Sequence, residues 1–235
     1  MKAWFSSCYH AINGRLNVQP LTEAILSLCG SNTGSGNLVI HSSISGLCPP
    51  VDFRKWDAVR FIDELCKSGY TVLLPAFTFS FTRTRSFSTN SKSEVGILPD
   101  WVRELLPYSR RTIDPIYSFV VAGNNADAIL RLSANTCWGD GSVFEYIEQT
   151  NAKYVLMGCD WNSCTQIHRY EEMKRVPYRY FKEFHGIHHE DAGKIRETSS
   201  IMYVRDLEIN AMYDFNRIER HFSNAISFKQ QELYR

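Results

Sequence analysis

The sequence predicts an α/β protein in which helices cover both faces of a mostly parallel or mixed central sheet, a three-layer α/β/α fold. Short apolar runs rich in β-branched residues alternate along the chain with segments whose apolar residues recur at helical spacing. Several of these runs lead directly into polar residues, as strands do at the ligand-binding edge of an open α/β sheet. Apolar residues make up 44% of the 235 residues, which suits one main core. We therefore expect a single domain spanning residues 1–235.

The first half of the chain predicts two helix–strand pairs. In order, these are a helix at 21–29, a strand at 37–40, a helix at 56–66 and a strand at 71–74. Ser68 and Gly69 would end the second helix. The two strands run into the polar segments His41-Ser42-Ser43 and Pro75-Ala76-Phe77-Thr78. Residues 79–92 are rich in serine, threonine and arginine without apolar periodicity, which predicts a long loop able to close over a ligand.

The second half predicts further alternation of helices and strands. In order, these are a helix at 98–106, a strand at 116–122, a short helix at 126–132, a helix at 143–149 and a central strand at 154–158. The turn Gly139-Asp140-Gly141-Ser142 would cap the helix that begins at Val143. After Tyr178 the sequence turns polar, with one candidate strand at 201–204. This change of pattern marks residues 179–235 as a distinct C-terminal part of the domain.

The net charge and the cysteine content limit the classes of binding partner and the cellular compartment that we expect. A formal net charge of +1 predicts no steering toward nucleic acid or an anionic membrane. Seven cysteines, an odd number without a C-x-x-C pair, argue against a disulfide framework or a structural zinc site. No apolar run is long enough to span a membrane, so a cytoplasmic protein is expected. Trp4 and Phe5 would suit either a homodimer contact or an ordinary packed terminus.

Three polar segments are expected to line one crevice, because each follows a predicted strand. They are His41-Ser42-Ser43, Pro75-Ala76-Phe77-Thr78 and residues 162–168. If a helix begins near Thr165, the spacing puts His168 and Glu171 on neighbouring points of one face. A neutral imidazole held by a carboxylate can take a proton near pH 7, which suggests acyl or proton transfer. Spacing alone leaves Glu172 open as the alternative orienting carboxylate.

Other chemistries are less favoured by the pattern of residues. Cys164, four residues before His168, is a candidate nucleophile, but buried reduced cysteines are commonly inert. The histidine-rich segment 185–191 lacks i, i+4 histidine pairing, so a solvated loop that rims an acceptor site is favoured over a metal site. Neither G-x-x-x-x-G-K-S/T nor G-x-G-x-x-G is present, which disfavours nucleoside triphosphate hydrolysis and dinucleotide binding.

Five ordered motifs resemble those of the aminoglycoside 3-N-acetyltransferase family, whose members show H-S-S, P-x-F-T, R-S-x-H-P-x-x-S, G-x-G-S and T-x-x-H-x-x-E. The counterparts in this chain are His41-Ser42-Ser43, Pro75-Ala76-Phe77-Thr78, Arg111-Thr112-Ile113-Asp114-Pro115-Ile116-Tyr117-Ser118, Gly139-Asp140-Gly141-Ser142 and Thr165-Gln166-Ile167-His168-Arg169-Tyr170-Glu171. The resemblance covers residues 35–182. Five motifs in the right order are far more specific than any one of them.

The resemblance implies transfer of an acetyl group from acetyl-coenzyme A to an amine, without a covalent acyl-enzyme and without a metal. By the same resemblance, His168 is the general base, Glu171 its orienting carboxylate and Thr165 a neighbour of the thioester. The residues implied to line the coenzyme are His41, Ser42, Ser43, Phe77, Thr78, Arg111 and Ser118. On the acceptor side we expect Asp114, Asn162 and Glu172.

The chain departs from the family pattern in two places that bear on the acceptor. Asp114 stands where the family has histidine, and the family pattern fades after Tyr178, in the part expected to help hold the acceptor. We therefore expect an amino sugar, including nucleotide-linked ones of polysaccharide biosynthesis. Two alternatives stay open: an aminoglycoside acetyltransferase that confers antibiotic resistance, and a catalytically silent homologue that binds coenzyme A or a sugar.

Overall fold

Helices and strands alternate through most of the computed structural model, which describes residues 19–29, 36–45, 54–190 and 193–223. The helices are α1 (Gln19–Cys29), α2 (Lys55–Lys67), α3 (Phe81–Thr84), α4 (Leu98–Leu105), α5 (Ala126–Leu130), α6 (Val143–Gln149), α7 (Ile167–Met173) and α8 (Phe215–Ser223). The strands are β1 (Gly36–Ser42), β2 (Tyr70–Pro75), β3 (Ser86–Ser88), β4 (Arg110–Arg111), β5 (Phe119–Ala122), β6 (Lys153–Met157), β7 (Arg179–His189) and β8 (Ile195–Arg205). The prediction for Trp4 and Phe5 lies outside the described residues.

The larger sheet is mixed and has the strand order β4-β5-β2-β1-β6. β1 is parallel to both β2 and β6, whereas β5 is antiparallel to β2 and β4 is antiparallel to β5. The predicted mixed α/β fold is confirmed. The prediction of a central strand at 154–158 is wrong, because β6 lies at an edge of the sheet among the described residues. Its apolar run Val155-Leu156-Met157 is buried because both faces of the sheet are covered. An apolar run of this kind shows that a strand is covered on its faces, but it does not show whether the strand has one neighbour or two.

The two faces of this sheet bury different layers. Leu38 and Ile40 of β1 face a core shared with α1, α2 and α4. Val39, between them, faces the opposite core, which is rich in aromatic rings and includes Phe77 and Trp138. This alternation follows from the two-residue period of a strand, and it places the aromatic core behind the strand ends that carry the polar segments.

Residues 179–205 form a long hairpin where the sequence predicted a polar region with one short strand. β7 and β8 are 11 residues each and pair from Arg179 opposite Arg205 to His189 opposite Ile195. The prediction of a solvated loop at 185–191 is therefore wrong for its first five residues. His188 is 3% exposed and packs on Phe87 with ring centroids 5.1 Å apart. One face of the hairpin is solvated, so its apolar content was too low to signal a strand.

Residues 79–92 include a short helix and a short strand that pack on the hairpin, so the prediction of one long loop is wrong. α3 begins at Phe81, and β3 pairs in parallel with β7, with Phe87 opposite His188. Phe81 and Phe87 are 0% and 1% exposed. Both elements are too short to produce a periodic pattern, and their burial depends on a partner strand about a hundred residues later in the chain.

No helix among the described residues is long and apolar enough to cross a membrane.

Candidate active site

A cavity of about 720 Å³ opens at the carboxyl ends of β1, β2 and β6, the three mutually parallel strands. The segments that line it lie at 40–45, 75–79, 95–99 and 159–168. The structure thus brings together the three polar segments that follow predicted strands. Gly96, on the opposite wall, has φ +136° and lies so close to Ser42 that a Cβ would come within 3.2 Å of its carbonyl oxygen.

The His168 imidazole and the Glu171 carboxylate form a pair at one end of this cavity. Nδ1 of His168 lies 2.6 Å from Oε2 of Glu171. α7 begins at Ile167, two residues after Thr165, and the carbonyl oxygen of Thr165 accepts the backbone N–H of His168 at 3.0 Å. Thr165 and His168 both line the cavity, whereas the Glu171 side chain is only 5% exposed. The carboxylate therefore supports the imidazole from behind.

The adjacent carboxylate has a different partner. Oε1 of Glu172 accepts a hydrogen bond of 2.6 Å from Oγ1 of Thr136, and Glu172 does not line the cavity. Burial raises the pKa of Glu172. The choice that spacing left open is decided by this geometry, since only Glu171 reaches the imidazole.

The protonation states follow from the surroundings of the pair. Burial disfavours the charged form of Glu171, but hydrogen bonds from His168 and Tyr213 and the charge of Arg179 outweigh it and lower its pKa to about 2. Burial lowers the pKa of His168, which the hydrogen bond to Glu171 raises and the charge of Arg179 lowers further. At neutral pH the pair is thus an ionised carboxylate beside a neutral imidazole. An ionised carboxylate only accepts hydrogen bonds, so Nδ1 carries the proton and Nε2 is the basic nitrogen.

Tyr178, Arg179 and Tyr213 complete this centre, and sequence reasoning missed them. Oε1 of Glu171 accepts hydrogen bonds from the hydroxyls of Tyr178, at 2.9 Å, and Tyr213, at 2.7 Å. Nε of Arg179 lies 2.9 Å from Oε2 of the same carboxylate. No local spacing signals these contacts, because the hairpin and the segment before α8 bring them in.

Five of the other sequence-predicted residues line the cavity: His41, Ser42, Ser43, Phe77 and Asn162. His41 is 6% exposed, and burial lowers its pKa to about 4, so it is neutral at physiological pH. Its ring stacks on Tyr154 with centroids 6.3 Å apart. Ser43 contacts Ser45 through their hydroxyls at 3.2 Å. These residues provide neutral hydrogen-bonding groups beside the apolar wall formed by Phe77.

Three residues expected to contact the coenzyme lie behind the wall of the cavity. Oγ1 of Thr78 donates to the carbonyl oxygen of Pro115 at 2.8 Å. Nε of Arg111 donates to Oγ of Ser118 at 3.0 Å, and its guanidinium also donates to the carbonyl oxygen of Ala76. Arg111, Thr78 and Ser118 are all at most 5% exposed. They hold the backbone on either side of Phe77, whose side chain lines the cavity.

Asp114, expected on the acceptor side, holds a turn. Oδ1 accepts the backbone N–H groups of Ile116, at 2.8 Å, and Tyr117, at 2.5 Å, and Oδ2 accepts from Oγ of Ser200 at 3.3 Å. Asp114 lines a smaller cavity of about 180 Å³, which shares Tyr117 with the larger one. Burial raises the pKa of Asp114. Both oxygens are engaged by the protein, so the structure does not bring Asp114 to His168.

Two cysteines lie near the centre. Burial raises the pKa of the Cys164 thiol to about 11, which leaves it protonated and unreactive at neutral pH. Cys159 lines the cavity, and its thiol donates to the carbonyl oxygen of His41 at 3.4 Å.

The cavity is electrically neutral over the residues that the structure describes. Its lining there includes serine, threonine, asparagine, histidine and apolar side chains, but no aspartate, glutamate, lysine or arginine. In the same part of the chain, no group of three or more histidine, cysteine, aspartate and glutamate side chains is arranged to hold a metal ion. The described lining therefore offers two neutral imidazoles, those of His41 and His168, together with hydroxyl groups.

Comparisons with known proteins agree with this description. The family model for aminoglycoside 3-N-acetyltransferase matches residues 17–234. The solved structure of AAC-VIa bound to sisomicin superposes with a TM-score of 0.70 at 14% identity, covering 90% of this chain and 87% of that one. The YokD protein from Bacillus subtilis has a TM-score of 0.64 at 21% identity, covering 87% and 86% of the two chains. AAC-IIIb in its binary complex with CoASH has a TM-score of 0.67 at 18% identity, covering 86% and 82%.

At these identities the superpositions establish the fold, and the family model establishes the relationship. A search of curated protein sequences finds no match for this chain. The mixed α/β fold and the family match over nearly all of the chain define an acetyl-CoA-dependent N-acetyltransferase. The chain belongs to the aminoglycoside 3-N-acetyltransferase family.

Proposed function

We propose that this protein transfers the acetyl group of acetyl-coenzyme A directly to the amino group of an amino sugar, with His168 as the general base. The observation that carries the proposal is the 2.6 Å contact between His168 Nδ1 and Glu171 Oε2 at the end of a neutral cavity. A carboxylate that accepts the Nδ1 proton fixes the imidazole tautomer and leaves Nε2 free to take a proton from substrate.

The reaction requires one carbon–nitrogen bond to form and one carbon–sulfur bond to break. The neutral amine attacks the thioester carbonyl, and Nε2 of His168 accepts the proton that the nitrogen loses. Glu171 stabilises the resulting imidazolium, whose charge is paired with a carboxylate that stays ionised. The thiolate of coenzyme A then leaves and is protonated, which returns His168 to its neutral form. Thr165, which lines the cavity three residues before His168, is our candidate neighbour of the thioester.

The proposed coenzyme site lies along the segments after β1 and β2. His41, Ser42 and Ser43 offer neutral hydrogen-bonding groups, and Phe77 with Phe79 offers an apolar surface of the kind that suits a pantetheine arm. The likeness to AAC-IIIb, whose structure was solved as a binary complex with CoASH, supports coenzyme A as the cosubstrate. Thr78, Arg111 and Ser118 act in this proposal by holding the wall that carries Phe77.

The neutral lining supports an acceptor with few charges. An aminoglycoside carries several ammonium groups, and each one placed in a partly desolvated cavity needs an opposite charge nearby. The described lining supplies no carboxylate, whereas a sugar with a single amino group needs only the base and hydroxyl partners. Nucleotide-linked amino sugars of polysaccharide biosynthesis belong to the same class, since their amine is single and their charged groups extend outside the reacting centre.

Aminoglycoside acetylation is the second candidate, because solved relatives were crystallised with aminoglycosides. AAC-VIa was solved with sisomicin, and a histidine-to-alanine mutant of AAC(3)-IVa was solved in complex with apramycin. A catalytically silent binding protein is disfavoured, because such a protein would not need His168, Glu171 and Thr165 together.

A free-thiol release assay with acetyl-coenzyme A separates these candidates. The purified protein is tested against free amino sugars, nucleotide-linked amino sugars and aminoglycosides, and the acetylated product is identified by mass spectrometry. We expect release with at least one amino sugar. Release with aminoglycosides only would replace this proposal by the second candidate. Absence of release with every acceptor, together with measurable binding of coenzyme A, would contradict both and favour the silent protein.

A further inference from the structure

Arg179, the first residue of β7, contacts both members of the His168–Glu171 pair. Its Nε lies 2.9 Å from Oε2 of Glu171, and its Nη2 lies 3.0 Å from Nδ1 of His168. Nη1 donates to the carbonyl oxygen of Tyr203 at 2.8 Å, and Nη2 donates to the hydroxyl of Tyr213 at 2.6 Å. The side chain is 7% exposed. The guanidinium is planar and rigid, so these contacts together fix its position.

The contacts at Nδ1 of His168 compete with each other. A neutral imidazole can donate from Nδ1 to Glu171 or accept at Nδ1 from Arg179, but it cannot do both. If Nδ1 accepted from Arg179, Nε2 would carry the proton and His168 would lose its basic nitrogen. Glu171 is the nearer partner, at 2.6 Å against 3.0 Å, and Nη2 of Arg179 is also drawn to Tyr213. The shorter contact, with an ionised carboxylate that can only accept, favours the tautomer that catalysis needs.

We propose that Arg179, held by Tyr213, is a positioning residue for the general base: it fixes the ionised Glu171 against Nδ1 and opposes accumulation of the imidazolium. The inference rests on the proposed function, and it concerns residues that the family motifs in this chain do not include. Tyr213 completes the arrangement because its hydroxyl also donates to Oε1 of Glu171 at 2.7 Å.

The charges around His168 predict whether its pKa should rise or fall when Arg179 is replaced. Glu171, on the same helix, favours the imidazolium, and Arg179, from β7, disfavours it. The hydroxyls of Tyr178 and Tyr213 face Glu171 and stay protonated, since burial raises the pKa of both. Removal of the Arg179 charge leaves Glu171 unopposed, so the pKa of His168 must rise. If Arg179 served only in packing, its replacement would leave the pKa of His168 unchanged.

The test follows His168 directly by NMR of protein labelled with ¹⁵N in histidine, with the His168 signals assigned by their loss in His168→Gln. In Arg179→Met, which keeps the length of the side chain, we expect the His168 titration midpoint to rise by about one pH unit, as for loss of a charge within hydrogen-bond distance. Arg179→Lys keeps the charge, so its His168 titration midpoint should lie close to that of wild type. Lys182→Met, which removes an exposed charge from the same strand, is the matched control and should leave the midpoint in place.

Tyr213→Phe provides a second variant that keeps the arginine. Loss of the hydroxyl removes one hydrogen bond to Glu171 and one acceptor for Nη2 of Arg179. The ¹⁵N shifts should then report an increased fraction of the Nε2–H tautomer, with a lower kcat and an unchanged KM for acetyl-coenzyme A. This variant serves if Arg179→Met does not fold. An unmoved titration midpoint in folded Arg179→Met, or an unchanged tautomer in Tyr213→Phe, would overturn the inference.

The outcomes distinguish this inference from the proposed function. If wild-type protein acetylates an amino sugar but His168 titrates identically in Arg179→Met, the function stands and the positioning role fails. If the midpoint moves as expected but no acceptor is acetylated, the positioning role stands and the proposed acceptor fails.

Discussion

Glu171 and Glu172 are adjacent in the chain, yet their carboxylates serve different partners: Oε2 of Glu171 lies 2.6 Å from His168, and Oε1 of Glu172 lies 2.6 Å from Thr136. Consecutive helix residues point about 100° apart, which separates the two groups. Their exchange for glutamine should therefore have unequal effects. Glu171→Gln removes the charge that stabilises the imidazolium, and kcat should fall on the order of a hundredfold.

Glu172→Gln is the matched control, because the amide oxygen can still accept from Thr136. Its kcat should stay within a few-fold of wild type. Thiol-release kinetics under saturating acetyl-coenzyme A measure both variants. Equal losses in the two would refute the assignment of Glu171 as the orienting carboxylate.

The rate should depend on pH through His168. Burial, with the charge of Arg179, lowers its pKa from the ordinary 6.5, so the base stays neutral at pH values where a free histidine would be protonated. We expect kcat to rise with pH through a midpoint below 6.5 and to be near its plateau at pH 7. A kcat profile measured with an amino sugar acceptor checks this. A midpoint above 6.5 would show that the carboxylate, and not burial, dominates at His168.

His41 should make the fold sensitive to acid. Its folded-state pKa of about 4 lies below the ordinary 6.5, so the unfolded chain binds more protons between these values and stability falls as pH drops from 6.5 toward 4. Below pH 4 the unfolding free energy should be lower by roughly 3 kcal/mol than at neutral pH from this group alone. Denaturant unfolding at pH 7, 5.5 and 4.5 should show a smaller pH dependence in His41→Gln than in wild type.

His185 offers the matched control for that experiment. Its side chain is 75% exposed on β7, so His185→Gln should leave the pH dependence of the unfolding free energy unchanged. If His41→Gln and wild type lose stability in parallel, protonation of His41 is not the cause of the acid sensitivity.

Direct transfer predicts that the two cysteines near the base are dispensable. Burial raises the pKa of Cys164 to about 11, and its thiolate is therefore scarce at neutral pH. Cys164→Ala and Cys159→Ala should each retain kcat within a few-fold, and no acetylated enzyme should appear in intact-protein mass spectra after mixing with acetyl-coenzyme A. An acetyl adduct on either cysteine that forms and decays at the rate of turnover would establish a covalent route instead.

The segment at 79–92 provides a test of packing. Phe87 of β3 is 1% exposed and packs on His188 of the hairpin, so Phe87→Ala should lower the unfolding free energy by about 3–5 kcal/mol. Tyr180→Ala, at a 48% exposed position on the same hairpin, should cost far less. Denaturant melts of both variants check the difference. A small loss in Phe87→Ala would mean that this segment is held by its hydrogen bonds alone.

The parts of the molecule that were predicted from sequence are those determined by local spacing. The helices at 19–29, 55–67 and 143–149 follow from apolar periodicity and from the Ser142 cap, which accepts the N–H of Glu145 at 3.1 Å. The His168–Glu171 contact follows from a three-residue separation on one helix. The convergence of the polar segments follows from the parallel arrangement of β1, β2 and β6.

The parts that were missed depend on contacts between distant residues. Arg179, at the start of β7, and Tyr213, in the segment before α8, both contact Glu171, and neither residue belongs to a motif. Asp114 occupies a motif position, but its oxygens accept the N–H groups of Ile116 and Tyr117, which no pattern of residue types reveals. A polar residue in a family motif can therefore hold the backbone beside the main cavity without lining that cavity.

The most direct test of the central claim compares His168→Gln with His185→Gln in acetyl transfer to the best amino sugar acceptor, with folding verified by circular dichroism. Glutamine can still donate to Glu171 but cannot accept a proton, so kcat should fall a hundredfold or more in His168→Gln and stay at the wild-type value in His185→Gln. A folded His168→Gln variant that retains near-normal kcat would contradict the assignment of His168 as the general base.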